Sequence, residues 1–286
     1  MKRTSRVTAQ WLRTMEREGA ALGLSGWRVL LEGKYINDVF FEADWKGRAC
    51  IVKCSSKCPW SIGNEYRLAS RLHTVAPTVV AEPLAVCERP AFVVTERVAG
   101  PSLTELLERG LTDEQAASFA ADILALARAL RATGVLHRDL FADNLLLGAD
   151  GHLKAIDWQL AIDRADYRED PWVERHWKFH YVVFGVNREL GMGVWNDFDA
   201  LARLLAGFPQ TEPVRLARAE LEAAAPAMSF VAEPGARVRG LLRLYGWSLR
   251  AQMLLRGRGH RKYAQLERRW RTVKTGLSAT ARRAGF

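Results

Sequence analysis

The chain has 286 residues, 49% of them hydrophobic and 26% charged, which is ordinary for a soluble globular protein of one large domain or two lobes. No apolar run approaches the roughly 18 residues of a membrane-spanning helix, and the N-terminal residues lack the apolar core of a secretory signal, so we expect a cytoplasmic protein. Four cysteines suit a reducing compartment better than a disulfide framework.

The net charge of +10 is concentrated near the C-terminus. Residues 235–286 contain fourteen Lys and Arg and a single acidic residue, Glu267, whereas residues 1–234 carry a small net negative charge. Such a segment favours an anionic partner: acidic lipid headgroups, a phosphorylated glycolipid or nucleic acid. A solvated helical face is the alternative interpretation.

The N-terminal third predicts a helix followed by a sheet. Five segments rich in β-branched and aromatic residues are expected to form strands: Trp27–Gly33, Asp38–Asp44, Arg48–Cys54, Ala81–Cys87 and Ala91–Val98. Trp45-Lys46-Gly47 predicts a hairpin-type turn between the second and third strands, and a helix is expected around Asn64–Leu72.

The pattern becomes helical after the fifth strand. Capping boxes at Ser102–Glu105 and Thr112–Gln115 predict two helices, which Gly110 and Gly134 end. The predicted apolar face of the second helix includes Ala116, Phe119, Ala120, Ile123, Leu124, Ala127 and Leu130. We place a lobe boundary near Arg97–Pro101, which divides the chain into 1–97 and 98–286.

One stretch, GVLHRDLFADNLLL followed by LKAIDWQLA, carries the chemistry. It places Asp139 and Asn144 five residues apart and Asp157 eighteen residues after Asp139, between apolar runs. Phosphoryl transfer from a nucleotide requires such a set, because one carboxylate must meet the attacking hydroxyl while an amide and a second carboxylate hold Mg²⁺ against the phosphates.

These residues resemble the protein-kinase-like superfamily. Asp139 and Asn144 match the family's H-R-D and its asparagine, and Asp157 opens a D-W-Q triplet where the family has D-F-G. The resemblance implies an α+β, two-lobed protein-kinase-like fold: an N-terminal antiparallel five-stranded sheet with one main helix, and a mostly helical C-terminal lobe. It also implies ATP and Mg²⁺, with Asp139 as catalytic base and Asn144 and Asp157 as metal ligands.

Lys53 lies in an apolar strand, and strand alternation puts it on the same face as Ile51. It resembles the lysine of V-A-I-K, which pairs with nucleotide phosphates and with a helix glutamate, here Glu65. The spacing of twelve residues to Glu65 is shorter than in typical protein kinases. An edge-strand lysine that reaches water is the alternative interpretation.

The segment Val94–Gly100 resembles the kinase hinge. There the backbone groups near Glu96 and Val98 would pair with an adenine edge, and Thr95 would be the gatekeeper; a plain connection between lobes is the alternative. Farther along, Asp197 resembles the aspartate that braces the H-R-D backbone.

Three departures from the family separate this chain from ordinary protein kinases. No G-x-G-x-x-G is present, so the phosphate-covering loop is expected around Tyr35–Asp38. No Ser or Thr lies between Thr133 and Thr211, and A-P-E is missing. We therefore expect neither a phosphothreonine switch nor the usual peptide-docking platform.

Together with the basic segment 235–286, these departures make the chain most similar to bacterial lipopolysaccharide-core (heptose or Kdo) kinases. The expected acceptor is an anionic glycolipid or a lipopolysaccharide-core sugar, with peripheral binding to the inner membrane. Alternatives are an atypical Ser/Thr protein kinase, an aminoglycoside- or choline-type kinase, a pseudokinase scaffold, and a nucleic-acid-binding protein, of which the last is the least expected.

Overall fold

The computed structural model describes residues 6–32, 38–55, 59–165 and 194–231. The helices of these ranges are α1 (Arg6–Thr14), α2 (Pro59–Val75), α3 (Leu103–Arg109), α4 (Asp113–Thr133), α5 (Asp197–Ala206) and α6 (Glu212–Met228). The strands are β1 (Leu24–Glu32), β2 (Asp38–Trp45), β3 (Arg48–Ser55), β4 (Pro83–Glu88), β5 (Ala91–Glu96), β6 (Val135–Leu136), β7 (Leu145–Leu147), β8 (Leu153–Ala155), β9 (Ile162–Asp163), β10 (Val194–Trp195) and β11 (Phe230–Val231).

The first five strands form an antiparallel sheet in the order β1-β2-β3-β5-β4. A two-residue turn, Lys46-Gly47, joins β2 to β3, and both residues have positive φ, 52° and 83°. Positive φ at both central positions is the requirement of the hairpin turns whose twist matches that of the strands, and glycine meets it without steric cost. The five predicted strands and the predicted hairpin are confirmed, with shifts of up to three residues at the strand ends.

Helix α1 covers one face of this sheet. It continues into a π-helical stretch, Met15–Gly19, and Trp11 and Met15 pack against a core that includes Phe41, Val52 and Phe92. The alternation predicted for β3 is confirmed, because Cys50, Val52 and Cys54 are buried on this face. The opposite face, which bears Ile51 and Lys53, is called here the cleft face.

The second core lies among the helices that follow. Buried side chains of α3, α4, α5 and α6 pack together, and α2 contributes Leu68 and Leu72 from the sheet side. Both predicted capping boxes are formed, and Gly134 ends α4 in the left-handed conformation at φ 68°. The predicted residues of the α4 face pack in this core, with Leu124 half-buried, and Leu126 and Ala129 are buried there as well. Asp122 is also buried, and it accepts hydrogen bonds from the Leu153 backbone N–H and the His152 ring.

The α+β, two-lobed architecture agrees with the expected fold class, while the boundary at 97/98 stays a prediction. Within the described ranges no helix has the length and apolar character to cross a membrane. The expected loop Tyr35–Asp38 lies almost wholly outside the described residues, and so do Cys58 and the basic segment 235–286.

Candidate active site

A cavity of about 350 Å³ lies between the cleft face of the sheet and the helical lobe. Leu30, Ile51 and Lys53 line it from the sheet, and Leu146 and Ile156 line it from β7 and the segment after β8. The connection between the lobes, Thr95–Ala99, forms one wall. This volume and its mainly apolar lining fit a small-molecule site.

Lys53 joins three elements at one end of the cavity. Its Nζ lies 3.0 Å from Glu65 Oε2 on α2 and 2.5 Å from Asp157 Oδ1 beyond β8. The side chains of Lys53 and Glu65 are 6% and 5% exposed. Because β3 is an inner strand and the ammonium is buried, the alternative of an edge-strand lysine reaching water is wrong. The structure thus contains the Lys53–Glu65 pair that the sequence predicted, together with a Lys53–Asp157 contact that was not predicted.

Asp157 stands at the start of a short 3₁₀ turn, Trp158–Leu160, in the left-handed conformation at φ 60°. Its side chain remains 39% exposed to the cleft. Burial would raise the pKa of Asp157, but the adjacent Lys53 ammonium outweighs it and holds that pKa below its ordinary value. The carboxylate is therefore ionised near neutral pH and turned towards the cavity.

Helix α2 is fastened to the segment that follows Asp157. Asn64 Nδ2 donates to the Ala161 carbonyl at 2.8 Å, one residue before Glu65. Two turns farther along, Arg71 Nη1 lies 2.6 Å from Asp163 Oδ2, and Arg71 also donates to the Thr133 carbonyl. These contacts fix the position of α2 relative to the segment after Asp157. They therefore also fix the position of Glu65 opposite Lys53.

The loop that carries Asp139 is held by a buried carboxylate. Asp197 Oδ2 accepts from the His137 backbone N–H at 2.6 Å, and Asp197 Oδ1 accepts from the Arg138 backbone N–H at 3.0 Å. Arg138 has φ 67°, a conformation that a non-glycine residue holds only when its surroundings fix it. Asn144 Nδ2 donates to the Asp139 carbonyl at 2.8 Å, so the two candidate residues lie side by side.

His137 is a packed, neutral residue. Burial lowers the pKa of its imidazole below the usual 6.5. Its Nε2 donates to the Ile156 carbonyl at 2.9 Å, its Nδ1 accepts from the Asp139 backbone N–H at 3.3 Å, and the ring packs on Trp158 at 4.4 Å. The ring therefore connects the Asp139 loop to the segment that carries Asp157, which is a structural role.

Part of the backbone of the connecting segment already forms hydrogen bonds within the protein. The Glu96 N–H donates to the Glu82 carbonyl at 2.8 Å and the Arg97 N–H donates to the Ala49 carbonyl at 3.2 Å. A nucleobase contact at Glu96 would therefore use its carbonyl. Val98 lies on the cavity wall two residues on, where its backbone can add a second contact.

Sequence reasoning missed two charged residues around this segment. Glu42 lines the cavity and pairs with Arg28 and Arg97, and Lys154 approaches Glu96 from outside the cavity. One feature could have indicated Glu42: it pairs with Ile51 across the two strands, which places its carboxylate on the cleft face. Nothing in the sequence indicated a role for Lys154, because a lysine between two apolar strand residues usually faces water.

The donors fit a magnesium ion held together with nucleotide phosphates. Asn144 uses its amide nitrogen on Asp139, which leaves the amide oxygen as the donor that a hard cation prefers, and Asp157 offers an ionised carboxylate. Within the described residues no cluster of three or more His, Cys, Asp or Glu could hold a metal. Magnesium does not need one, because phosphate oxygens and water complete its shell.

The fold and this set of residues define a protein-kinase-like architecture, and comparison with known proteins agrees. Residues 53–174 match the protein kinase domain family. A CBL-interacting protein kinase 16 of Oryza sativa is 39% identical over 80 residues, 28% of this chain and 18% of that protein. The serine/threonine-protein kinase PAK 1 of Mus musculus is 40% identical over 68 residues, 23% of this chain and 12% of that protein. A protein kinase C-like protein of Neurospora crassa is 34% identical over 86 residues, 30% of this chain and 7% of that protein.

These matches cover 7 to 18% of the length of the three relatives. These similarities support a protein-kinase-like superfamily and a kinase phosphotransferase. The named relatives are protein kinases rather than lipopolysaccharide-core kinases.

Proposed function

We propose that the chain is an ATP- and Mg²⁺-dependent phosphotransferase that transfers the γ-phosphoryl group to an alcohol. The observation that carries the proposal is the Lys53 ammonium, held 3.0 Å from Glu65 and 2.5 Å from Asp157 in the lining of the cavity. A buried lysine held by two carboxylates on different elements is pre-organised for phosphate oxygens, and such pre-organised charge is the main source of catalysis in phosphoryl transfer.

Each residue has a distinct part in this proposal. Lys53 binds phosphate oxygens of the nucleotide, and Glu65 fixes the lysine in place. Asn144 and Asp157 hold Mg²⁺, which neutralises phosphate charge when bound. Asp139 orients the acceptor hydroxyl and accepts its proton as the new P–O bond forms and the bond to ADP breaks, with positioning contributing more than basicity.

The acceptor best supported by the comparisons is a Ser or Thr hydroxyl of a protein. The matching relatives include two proteins named as serine/threonine-protein kinases, PAK 1 and STE20. Because the matched segments are short parts of those relatives, this acceptor is a proposal for the chain. The site itself is assembled without a phosphorylated Ser or Thr in residues 134–210, where neither residue occurs.

A second candidate acceptor is a sugar hydroxyl of the lipopolysaccharide core. It is favoured by the fourteen Lys and Arg of segment 235–286 and by the missing A-P-E. A segment so basic would attract an anionic glycolipid or an anionic inner-membrane surface from the cytoplasmic side. Truncation after Pro234 is then expected to weaken binding to anionic liposomes, and unchanged binding would remove this support.

The test offers three acceptors separately to the purified chain with labelled ATP and Mg²⁺: a peptide library containing Ser and Thr, dephosphorylated core glycolipid, and the protein alone. We expect label in the peptide library, abolished by a chelator. Label in the glycolipid instead would establish the second candidate. Nucleotide binding without transfer to any acceptor would contradict the enzyme proposal and favour a pseudokinase scaffold.

A further inference from the structure

Glu96 and Arg97 are consecutive residues of the connecting segment, and each forms an ion pair with a different lobe. Glu96 Oε1 lies 2.9 Å from Lys154 Nζ of β8, in the helical lobe. Arg97 Nε lies 2.8 Å from Glu42 Oε1 of β2, in the sheet. We call these two pairs, Glu96–Lys154 and Arg97–Glu42, the hinge brace.

The Glu96–Lys154 pair is shielded from water and supported by further contacts. Lys154 and Glu96 side chains are 12% and 20% exposed. Glu96 Oε1 also accepts from the Glu82 backbone N–H at 3.0 Å, and Lys154 Nζ lies 3.3 Å from Asp150 Oδ2. Burial lowers the pKa of Lys154, but Glu96 and Asp150 outweigh it and raise that pKa above 10.5, so the ammonium stays charged near neutral pH.

Lys154 influences the cavity through its ion pair with Glu96. It does not line the cavity, whereas Glu96, which it holds, does. It also belongs to the short strand that leads through Ile156 to Asp157, and the neighbouring Ala155 exchanges backbone hydrogen bonds with Val79 and Ala81. The strand β8 therefore contacts the connecting segment through Lys154 and leads directly to the carboxylate proposed to hold Mg²⁺.

We propose that Lys154 and Glu42 are positioning residues for nucleotide binding, which fix the backbone of Glu96–Val98 at the distance a nucleobase edge requires. The proposal rests on the function proposed above. Residues 97–101 belong to no helix or strand, so no ladder of hydrogen bonds holds Val98 in place. Recognition by backbone groups needs a fixed carbonyl and N–H, and pre-organisation removes the entropy cost of ordering them on binding.

The experiment separates binding of the base from binding of the phosphates. Dissociation constants are measured for Mg-ATP and for Mg-tripolyphosphate, which has the phosphates but no base. We expect Lys154→Met and Glu96→Gln each to weaken Mg-ATP about five- to twentyfold, as for loss of a charged hydrogen bond, and to leave tripolyphosphate within about twofold. Glu42→Gln is expected to act in the same direction. In kinetics, the KM for ATP rises while kcat changes little.

A double-mutant cycle tests whether the two partners act together. Lys154→Met combined with Glu96→Gln should weaken Mg-ATP no more than either change alone, and Lys154→Arg should restore most of the affinity. Arg218→Met and Glu222→Gln are the matched controls, since they remove an ion pair of 2.7 Å on α6, outside the residues that line the cavity. The controls should bind Mg-ATP as the wild-type chain does.

The outcomes distinguish this inference from the proposed function. Unchanged Mg-ATP affinity in Lys154→Met and Glu96→Gln would overturn the hinge brace while leaving the phosphotransferase proposal intact. Equal weakening of Mg-ATP and tripolyphosphate would also overturn it, because the change would then be general damage to the site. A wild-type chain that binds neither ligand would overturn the proposed function and the brace with it.

Discussion

Replacing Lys53 by Met removes the charge on which the candidate site depends. The ammonium lies 3.0 Å from Glu65, whose side chain is 5% exposed, and 2.5 Å from Asp157. Breaking a buried ion pair by removing one partner costs about 3–5 kcal/mol, because the other charge stays desolvated. The Asp157 contribution is discounted for solvent screening, since that side chain is 39% exposed. We therefore expect Lys53→Met to lower the free energy of unfolding by about 3 kcal/mol.

The same variant should lose phosphotransfer. Removing a pre-organised charge from the reacting group costs about a hundredfold or more in rate. Urea denaturation measures the stability, and labelled-phosphate transfer measures the rate. Lys53→Met combined with Glu65→Gln should be more stable than Lys53→Met alone, because the double variant no longer buries an uncompensated carboxylate. A Lys53→Met chain as stable as the wild type, or a double variant less stable than the single one, would refute this reasoning.

Three further changes test how the site is held. Arg71→Met frees α2 from Asp163, so transfer should fall about tenfold while ATP affinity in the absence of Mg²⁺ changes little; equal rates would contradict a role for this contact. Asp197→Asn loses one charged acceptor of the Asp139 loop and should lower unfolding stability by about 1–3 kcal/mol in urea titrations. His137 is buried with its pKa below 6.5, so the unfolded chain binds the extra proton and stability falls as pH drops below 6.5. Urea titrations from pH 7 to 5 should show this fall reduced in His137→Gln.

The sequence predicted the local features of the fold well. Capping boxes at Ser102 and Thr112 and the turn at Lys46-Gly47 depend on residues close together in the chain, and the structure confirms each. The alternation of β3 was also readable, because a strand with one buried face shows it directly. The covering of that face by α1 was not readable, since a helix pattern does not say which surface it meets.

The candidate site could be predicted as far as its motifs extend. Lys53 and Glu65 pair as their resemblance to a known family implied, and Asp157 lies in the same site, although 104 residues separate it from Lys53. The hinge brace could not be predicted, because Lys154 and Glu96 are 58 residues apart and no motif pairs their side chains. Buried Asp122 was missed for the same reason: a polar residue on an apolar helix face has its partner on another element.

Asp139, beside Asn144 and in the same site as Lys53 and Asp157, is the residue on which the proposed phosphoryl transfer depends most. The most direct test is the single-turnover transfer of labelled γ-phosphate by the wild-type chain and by Asp139→Asn, with Mg-ATP binding measured for both. We expect equal ATP affinity in the two proteins and a transfer rate at least about a hundredfold lower in Asp139→Asn. Equal rates in the two proteins would contradict it.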